Sequence, residues 1–167
     1  MRRYPTLREF LQANNPDCQL KVCDNVDECF FGDSPSLALL NTTYGTTAAA
    51  AWLVPEITEA SVFCGLKENP NQAQLDKLAR IIVTNYWYLT VDELLLFFFH
   101  FCSARYRHFY SYFAPSVIIH SLQDFLLERS RAYNDREQKM QELKREQSRK
   151  EAITYEEYIR MKESGEL

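Results

Sequence analysis

The segment 94–101 places the strongest constraint on the fold, because its sequence, LLLFFFHF, is apolar at almost every position. A run of this kind fits a buried strand as well as a buried helix. The tetrapeptide before it, Thr90-Val91-Asp92-Glu93, matches a capping box, in which the threonine and glutamate side chains bond to the backbone of the first helical turn. The box favours a helix that continues to about residue 104. A helix that is apolar on nearly every side is expected at the centre of a bundle.

Further caps and helical periodicity predict more helices along the chain. Thr6 and Glu9 match a second capping box, which predicts a short helix directly after Thr6. Ser34 followed by Pro35 predicts the start of another helix, with the proline at its first position. Over residues 71–88, apolar side chains recur every three or four positions, as on one face of a helix. These signals together indicate an all-α protein.

The expected architecture is an all-α helical bundle with a loop-rich N-terminal arm and a long charged C-terminal helix. Residues 1–34 form the arm, a helix and an acidic loop in which Leu20 and Val22 alternate as in a small strand. Residues 35–131 form the bundle core. Residues 132–167 form a charged helical tail with few apolar side chains, which does not support a sustained coiled coil. Eight side chains on the apolar helix faces are expected to be buried: Leu78, Ile82, Leu94, Phe98, Phe101, Val117, Ile118 and Leu122.

Net charge and cysteine content limit the partners and the compartment. With 23 acidic and 19 basic residues the net charge is −4, which argues against general wrapping of nucleic acid. The start, MRRYPTLREF, lacks the apolar core of a signal peptide. The apolar run at 94–101 is far shorter than the ~20 residues of a membrane helix. The five cysteines contain no Cys-x-x-Cys pair. These features predict a cytoplasmic protein with reduced thiols and no membrane contact.

No acidic residue lies between Glu93 and Asp124, and all three histidines fall in this interval. Within it, positive charges and aromatic rings gather without a neighbouring counter-charge in the sequence. Arginine can contact phosphate, and tyrosine can stack on a base. In an alternative interpretation, the aromatic rings close one end of the bundle and the arginines are simply solvated. The predicted contact residues for a ligand or for single-stranded nucleic acid are Arg105, Tyr106, Arg107, His108, Tyr110 and Tyr112.

Catalytic and metal-binding motifs are missing from the sequence. It contains no Gly-x-Ser-x-Gly and no glycine-rich phosphate loop. His100 and Cys102 are two positions apart on a predicted helix, so they point to different faces and cannot share a metal. The spacing of Cys18, Cys23 and Cys29 differs from that of a zinc knuckle, so buried or free thiols are favoured over a zinc site. We predict no catalytic residue, no metal and no cofactor.

Four longer segments carry a family resemblance: FGDSPSLALLNTTYG, AWLVPEITEASVFCGLKE, QLDKLARIIVTNYWYLTVDELLLFF and ARYRHFYSYFAPSVI. They resemble an uncharacterised family of small helical proteins from Bacteroidetes chromosomes and mobile elements. The resemblance implies a cytosolic, mostly helical protein and brings no known activity, cofactor or catalytic residue. In the last segment the family pattern has glycines where this chain has Ala104, Arg107 and Ser111, and an aspartate at the position of Ala114. Because glycine permits positive φ, these departures predict a reshaped turn.

These observations predict a non-catalytic accessory or adaptor protein of a mobile element, with a role in DNA replication or transfer. The alternative is a protein–protein interaction module that makes no contact with nucleic acid. In both interpretations a protein partner binds the C-terminal helix. Single-stranded nucleic acid remains open as a second class of partner.

Overall fold

The computed structural model describes residues 4–66, 70–106, 109, 112–151 and 155–164. Within these ranges the chain is all-α, as predicted, and its only strand-like pairing is an isolated β-bridge between Ser36 and Thr90. No helix in these ranges is both long enough and apolar enough to cross a membrane. The helices are α1 (Leu7–Ala13), α2 (Val26–Phe31), α3 (Leu37–Tyr44), α4 (Ala48–Phe63), α5 (Gln72–Asn85), α6 (Val91–Cys102), α7 (Pro115–Glu151) and α8 (Tyr155–Ser164).

The chain divides into two compact units, residues 1–129 and residues 130–167. Unit 1 contains α1 to α6 and the first part of α7, and it holds the buried core. Unit 2 contains the rest of α7 together with α8, and its described side chains are exposed or half-buried. The predicted domain boundaries after residues 34 and 131 stay predictions.

Helix α6 lies at the centre of unit 1, as its apolar sequence predicts. Every side chain from Leu94 to Phe98 is buried, and the helix packs against α2 and α4. The capping box is formed: Thr90 Oγ1 accepts a hydrogen bond from the Glu93 N–H at 3.2 Å, and a Glu93 carboxylate oxygen accepts one from the Thr90 N–H at 2.9 Å. These bonds satisfy backbone donors at the start of the helix. The helical interpretation of this segment is confirmed.

The described N-terminal residues form short helices that are tied to the rest of unit 1. Helix α1 begins with the predicted capping box. Phe10 is fully buried, and Trp52 Nε1 donates a hydrogen bond to the Asn14 carbonyl at 2.7 Å. The small strand predicted at Leu20 and Val22 is wrong, because this part of the chain forms two 3₁₀ helices, Pro16–Leu20 and Val22–Asp24.

The helix start predicted at Ser34 and Pro35 is wrong. The cap of α3 is Ser36. Ser34 instead caps α6, because its Oγ accepts a hydrogen bond from the Asp92 N–H at 3.1 Å. The Pro35 carbonyl accepts another from the Val91 N–H at 2.9 Å. Ser34 and Pro35 therefore bond to the start of α6 and are not part of α3.

The core of unit 1 contains most of the side chains predicted for it. Val117 is the exception, since it is half-buried. Helix α7 also contributes Phe125, whose ring centroid lies 5.8 Å from that of Phe97 on α6. The predicted core residues that are buried are Leu78, Ile82, Leu94, Phe98, Phe101, Ile118 and Leu122.

Candidate functional site

The turn after α6 has the hydrogen-bond pattern of a Schellman motif. The Ala104 N–H donates to the Phe101 carbonyl, and the Arg105 N–H donates to the His100 carbonyl, each at 3.1 Å. The motif requires a residue in the left-handed conformation, and Ala104 supplies it with a φ of 56°. Glycine usually occupies this position because it has no Cβ. The alanine therefore adopts a backbone conformation that glycine usually supplies. The predicted reshaping of the turn relative to the family stays a prediction.

Replacing Ala104 with glycine is expected to stabilise the protein by about 1 kcal/mol, because glycine removes the Cβ that opposes positive φ. The same substitution at Ala51, an exposed position within α4, should destabilise it by about 1 kcal/mol. Urea denaturation of both variants beside the parent measures the two differences. A loss of stability at both positions would contradict the strain assigned to Ala104.

The Schellman turn brings together four polar side chains, His100, Arg105, Tyr106 and Glu128 of α7 (the His100 cluster). His100 Nδ1 lies 3.1 Å from the Tyr106 hydroxyl oxygen, and Arg105 Nη1 lies 3.3 Å from His100 Nε2. Arg105 Nε forms an ion pair with a Glu128 carboxylate oxygen at 3.1 Å. The Tyr106 ring stacks on Phe97 with a centroid separation of 6.1 Å. His100 and Tyr106 are both buried.

The donors and acceptors of the His100 cluster fix its proton positions. A guanidinium only donates, so His100 Nε2 accepts from Arg105 and the imidazole proton is assigned to Nδ1. Nδ1–H then donates to the Tyr106 oxygen, and the Tyr106 hydroxyl donates to Glu128. The ion pair between Glu128 and Arg105 closes the ring. Because these groups satisfy one another, the arrangement suits a clamp that fixes the turn.

Burial sets the protonation states of the cluster. The pKa of His100 is lowered by burial and by the nearby Arg105, while the Glu128 carboxylate opposes this shift. The pKa of Tyr106 is raised by burial and then by the charge of Glu128. At neutral pH the imidazole and the phenol are therefore uncharged. A neutral imidazole can act as a general base, but both of its nitrogens here face other members of the cluster.

The predicted contact residues lie in different environments. Arg105 is 52% exposed, but it faces Glu128. Tyr106 is buried, whereas Tyr112 is 72% exposed. The segment between Glu93 and Asp124 contains no acidic residue in the sequence. In the folded protein, however, Glu128 of α7 places a carboxylate beside Arg105. Outside the described residues lie Arg107, His108 and Tyr110.

The sequence analysis missed charged residues of α7 that pair with α6 and its turn. Glu128 joins the His100 cluster, and Arg129 forms an ion pair with the buried Glu93. A signal for both is present in the sequence. The buried stripe of α7 passes through Leu122 and Phe125, and the two charged residues continue it at helical spacing. A charged residue at the next position of an apolar stripe indicates a partner in or near the core.

The N-terminal cysteines make hydrogen bonds to the backbone. The thiols of Cys18, Cys23 and Cys29 each donate to a nearby carbonyl, at 3.3, 2.9 and 3.3 Å. Burial and nearby carboxylates raise the pKa of Cys29 to about 11, which disfavours the thiolate that zinc requires. In the part of the chain that the structure describes, no three histidine, cysteine or acidic side chains are placed to hold a metal ion.

The C-terminal part of the chain matches a known protein family. A sequence model of that family matches residues 69–166, which include every member of the His100 cluster. No curated protein and no solved structure matches the chain. The family match covers more than half of the sequence and confirms the expectation of an uncharacterised family. The chain therefore belongs to DUF6633, a family of unknown function.

Proposed function

We propose that this protein is a non-catalytic accessory or adaptor protein that binds another protein through its C-terminal unit. One observation on α7 carries the proposal: the side chains of Met140 and Leu143 are 48% and 52% exposed. Because these residues are three positions apart on a helix, they lie side by side on one face. An exposed apolar pair on an otherwise polar helix fits an apolar groove or helix of a partner protein.

The charges around this pair favour a protein partner over a nucleic acid. Residues 137–146 contain three acidic and three basic side chains, so this part of α7 has no net charge. Mixed charges beside an apolar contact select the partner and its orientation when helices pair. A phosphate backbone gains little from such a surface, because its affinity depends on an excess of positive charge.

Contact with single-stranded nucleic acid is the second candidate. The exposed ring of Tyr112 favours it, because an accessible tyrosine can stack on a base. Arg105 supports nucleic-acid binding less strongly, because a phosphate would compete with Glu128 for the Arg105 guanidinium. A role in DNA replication or transfer by a mobile element is proposed from the sequence resemblance alone. Genes with those functions beside the gene for this protein would support it.

Site-specific photo-crosslinking in the native host tests the binding of a protein. A photoreactive amino acid at Leu143 should give a discrete protein adduct, because this side chain is expected to lie in the interface. The matched control is Arg145, an exposed position that points away from Leu143 on the same helix. Met140→Asp should lower the Leu143 adduct about tenfold, because it places a charge in an apolar contact.

The crosslinking outcomes separate the two candidate functions. An adduct that nuclease removes would assign the C-terminal unit to nucleic acid. Equal protein adducts from Leu143 and Arg145 would indicate random collision rather than an interface. Either result would contradict the proposed protein contact, as would the absence of any adduct from Leu143.

A further inference from the structure

A cavity of about 540 Å³ lies between α5 and the corner that joins α3 to α4. On the α4 side the lining residues Ala50 and Ala51 have small side chains, which fill little of the space toward α5. The half-buried side chains of Val54 and Val83 complete the apolar part of the wall. Small molecules bind in cavities of about 300–1,000 Å³ that combine an apolar wall with a few convergent polar groups. The size and the apolar wall of this cavity meet that description.

The polar part of the wall consists of hydrogen-bond donors that have no partner among the described residues. Asn41 Oδ1 accepts a hydrogen bond from the Ala49 N–H at 2.9 Å, which leaves the Asn41 amide nitrogen to donate elsewhere. Thr47 caps α4 without a hydrogen bond to its side chain. The hydroxyls of Thr46 and Thr84 are likewise unbonded within the described ranges. These side chains are therefore available to a ligand with several acceptor oxygens.

Asp76 and Arg80 place opposite charges at the same cavity, one helical turn apart on α5. Residues four apart on a helix can pair, but these two form no ion pair, and within the described chain Arg80 has no carboxylate partner at all. Asp76 Oδ1 accepts a hydrogen bond from Gln72 Nε2 at 2.9 Å, so its second oxygen stays available. The cavity is therefore lined by a guanidinium without a counter-ion and by one acceptor.

A second cavity, of about 530 Å³, shares Asp76, Arg80 and Thr84 with the first and adds Lys77. The charged side chains along the two cavities are then two cations and one carboxylate. This local excess of positive charge stands against a net charge of −4 for the whole chain. It favours an anionic ligand at Arg80.

We propose that the cavity between α5 and the α3–α4 corner binds a small phosphate ester that carries free hydroxyl groups, such as a sugar phosphate or a mononucleotide. The planar guanidinium of Arg80 holds two phosphate oxygens. The amide of Asn41 and the threonine hydroxyls donate to the acceptor oxygens that remain. Asp76 accepts a hydrogen bond from a hydroxyl of the ligand, and the alanine and valine side chains contact its carbon skeleton. Inorganic phosphate alone would leave Asp76 and the apolar wall without a contact.

Isothermal titration calorimetry of the full chain with ribose 5-phosphate, AMP, ribose and inorganic phosphate tests the proposal. At least one of the two esters should bind, and the tighter one assigns the site to sugar phosphates or to nucleotides. Ribose and inorganic phosphate should each bind about tenfold more weakly or less, because each lacks one half of the contacts. Arg80→Gln should weaken binding of the ester about tenfold or more, because charge-assisted hydrogen bonds to phosphate are lost.

Asp76→Ala separates the contact with the ligand hydroxyl from the contact with phosphate. It should weaken binding of the ester about fivefold, whereas binding of inorganic phosphate should not weaken, because the lost group is an acceptor. The matched control is Arg8→Gln, which removes the same charge from an exposed arginine on α1 that does not line the cavity, and it should bind like the parent. Thermal unfolding without ligand checks that each variant is folded, as expected for exposed positions.

Three results would overturn the proposal. The first is the absence of binding by the parent with either ester at millimolar concentrations. The second is an equal affinity of the parent and Arg80→Gln, or an equal loss in Arg80→Gln and Arg8→Gln, which would indicate attraction by general charge. The third is inorganic phosphate that binds as tightly as the esters, which would mean that the hydroxyls and the carbon skeleton of the ligand make no contact.

Discussion

Replacing Arg129 with alanine is expected to lower the free energy of unfolding by about 3–5 kcal/mol, because it leaves a buried charge without its counter-ion. The charge is that of Glu93, whose side chain has no exposed surface. One carboxylate oxygen of Glu93 accepts from Arg129 Nε, and the other accepts from the Thr90 N–H. The guanidinium also lies 5.5 Å from the centroid of the Tyr88 ring, so a cation–π contact is lost as well.

Urea denaturation of Arg129→Ala beside two further variants tests this expectation. Arg131→Ala removes the same charge from an exposed position on α7 and should change the free energy of unfolding by less than about 0.5 kcal/mol. Adding Glu93→Gln to Arg129→Ala should recover part of the loss, because glutamine is neutral and its oxygen can still accept from Thr90. If Arg129→Ala and Arg131→Ala are equally stable, the buried pair contributes no more than a surface ion pair.

Helix caps and apolar stripes predict much of this fold because they act over short stretches of chain. Both capping boxes, at Thr6 and Thr90, mark helices that the structure contains. The partner of Ser34 could not be predicted from the neighbouring sequence. Its hydroxyl can cap the helix that follows or a helix brought close by the fold, and it caps α6 at Asp92, 58 residues away. Only the fold, which brings the segment before α3 to the start of α6, decides between these two partners.

The same limit applies to the candidate site. In the sequence Arg105 stands among aromatic residues with no acid nearby, which suggests a free positive charge. Its counter-charge, Glu128, lies on α7 and becomes a neighbour only after α6 and α7 pack. Tyr106 offers a ring for stacking in the sequence, whereas in the structure that ring is buried against Phe97. Whether Arg105 and Tyr106 are free to bind a ligand thus depends on contacts between helices, which the sequence composition does not reveal.

Glu56 is a buried carboxyl group that the sequence analysis did not single out. Its side chain has no exposed surface, because Glu56 lies on the buried face of α4 between Trp52 and Ala60. Gln19 Nε2 donates to one of its carboxylate oxygens at 2.6 Å. The other oxygen has no hydrogen-bond partner among the described residues. Burial raises the pKa of Glu56 from its ordinary value of 4.5 to about 7, and nearby acidic residues, Glu59 among them, add to this shift.

This pKa predicts that the protein loses stability between pH 4.5 and about 7. In that window the folded chain keeps a proton on Glu56 that the unfolded chain releases, so rising pH favours unfolding. The contribution is fully present below the unfolded pKa, and its loss amounts to about 3 kcal/mol once pH exceeds the folded pKa. Glu56→Gln keeps the shape and the acceptor for Gln19 but cannot ionise. The variant should therefore match the parent near pH 4.5 and exceed its free energy of unfolding by about 3 kcal/mol above pH 7.

Chemical denaturation in small pH steps across this window measures the difference between Glu56→Gln and the parent. Glu142→Gln removes the same charge from an exposed position on α7, so its difference from the parent should stay close to zero at every pH. A difference for Glu56→Gln that is equally flat would mean that Glu56 ionises in the folded protein as it does in the unfolded chain. In that case water or a rearranged partner must solvate the carboxylate, and the buried position of Glu56 would carry no dependence of stability on pH.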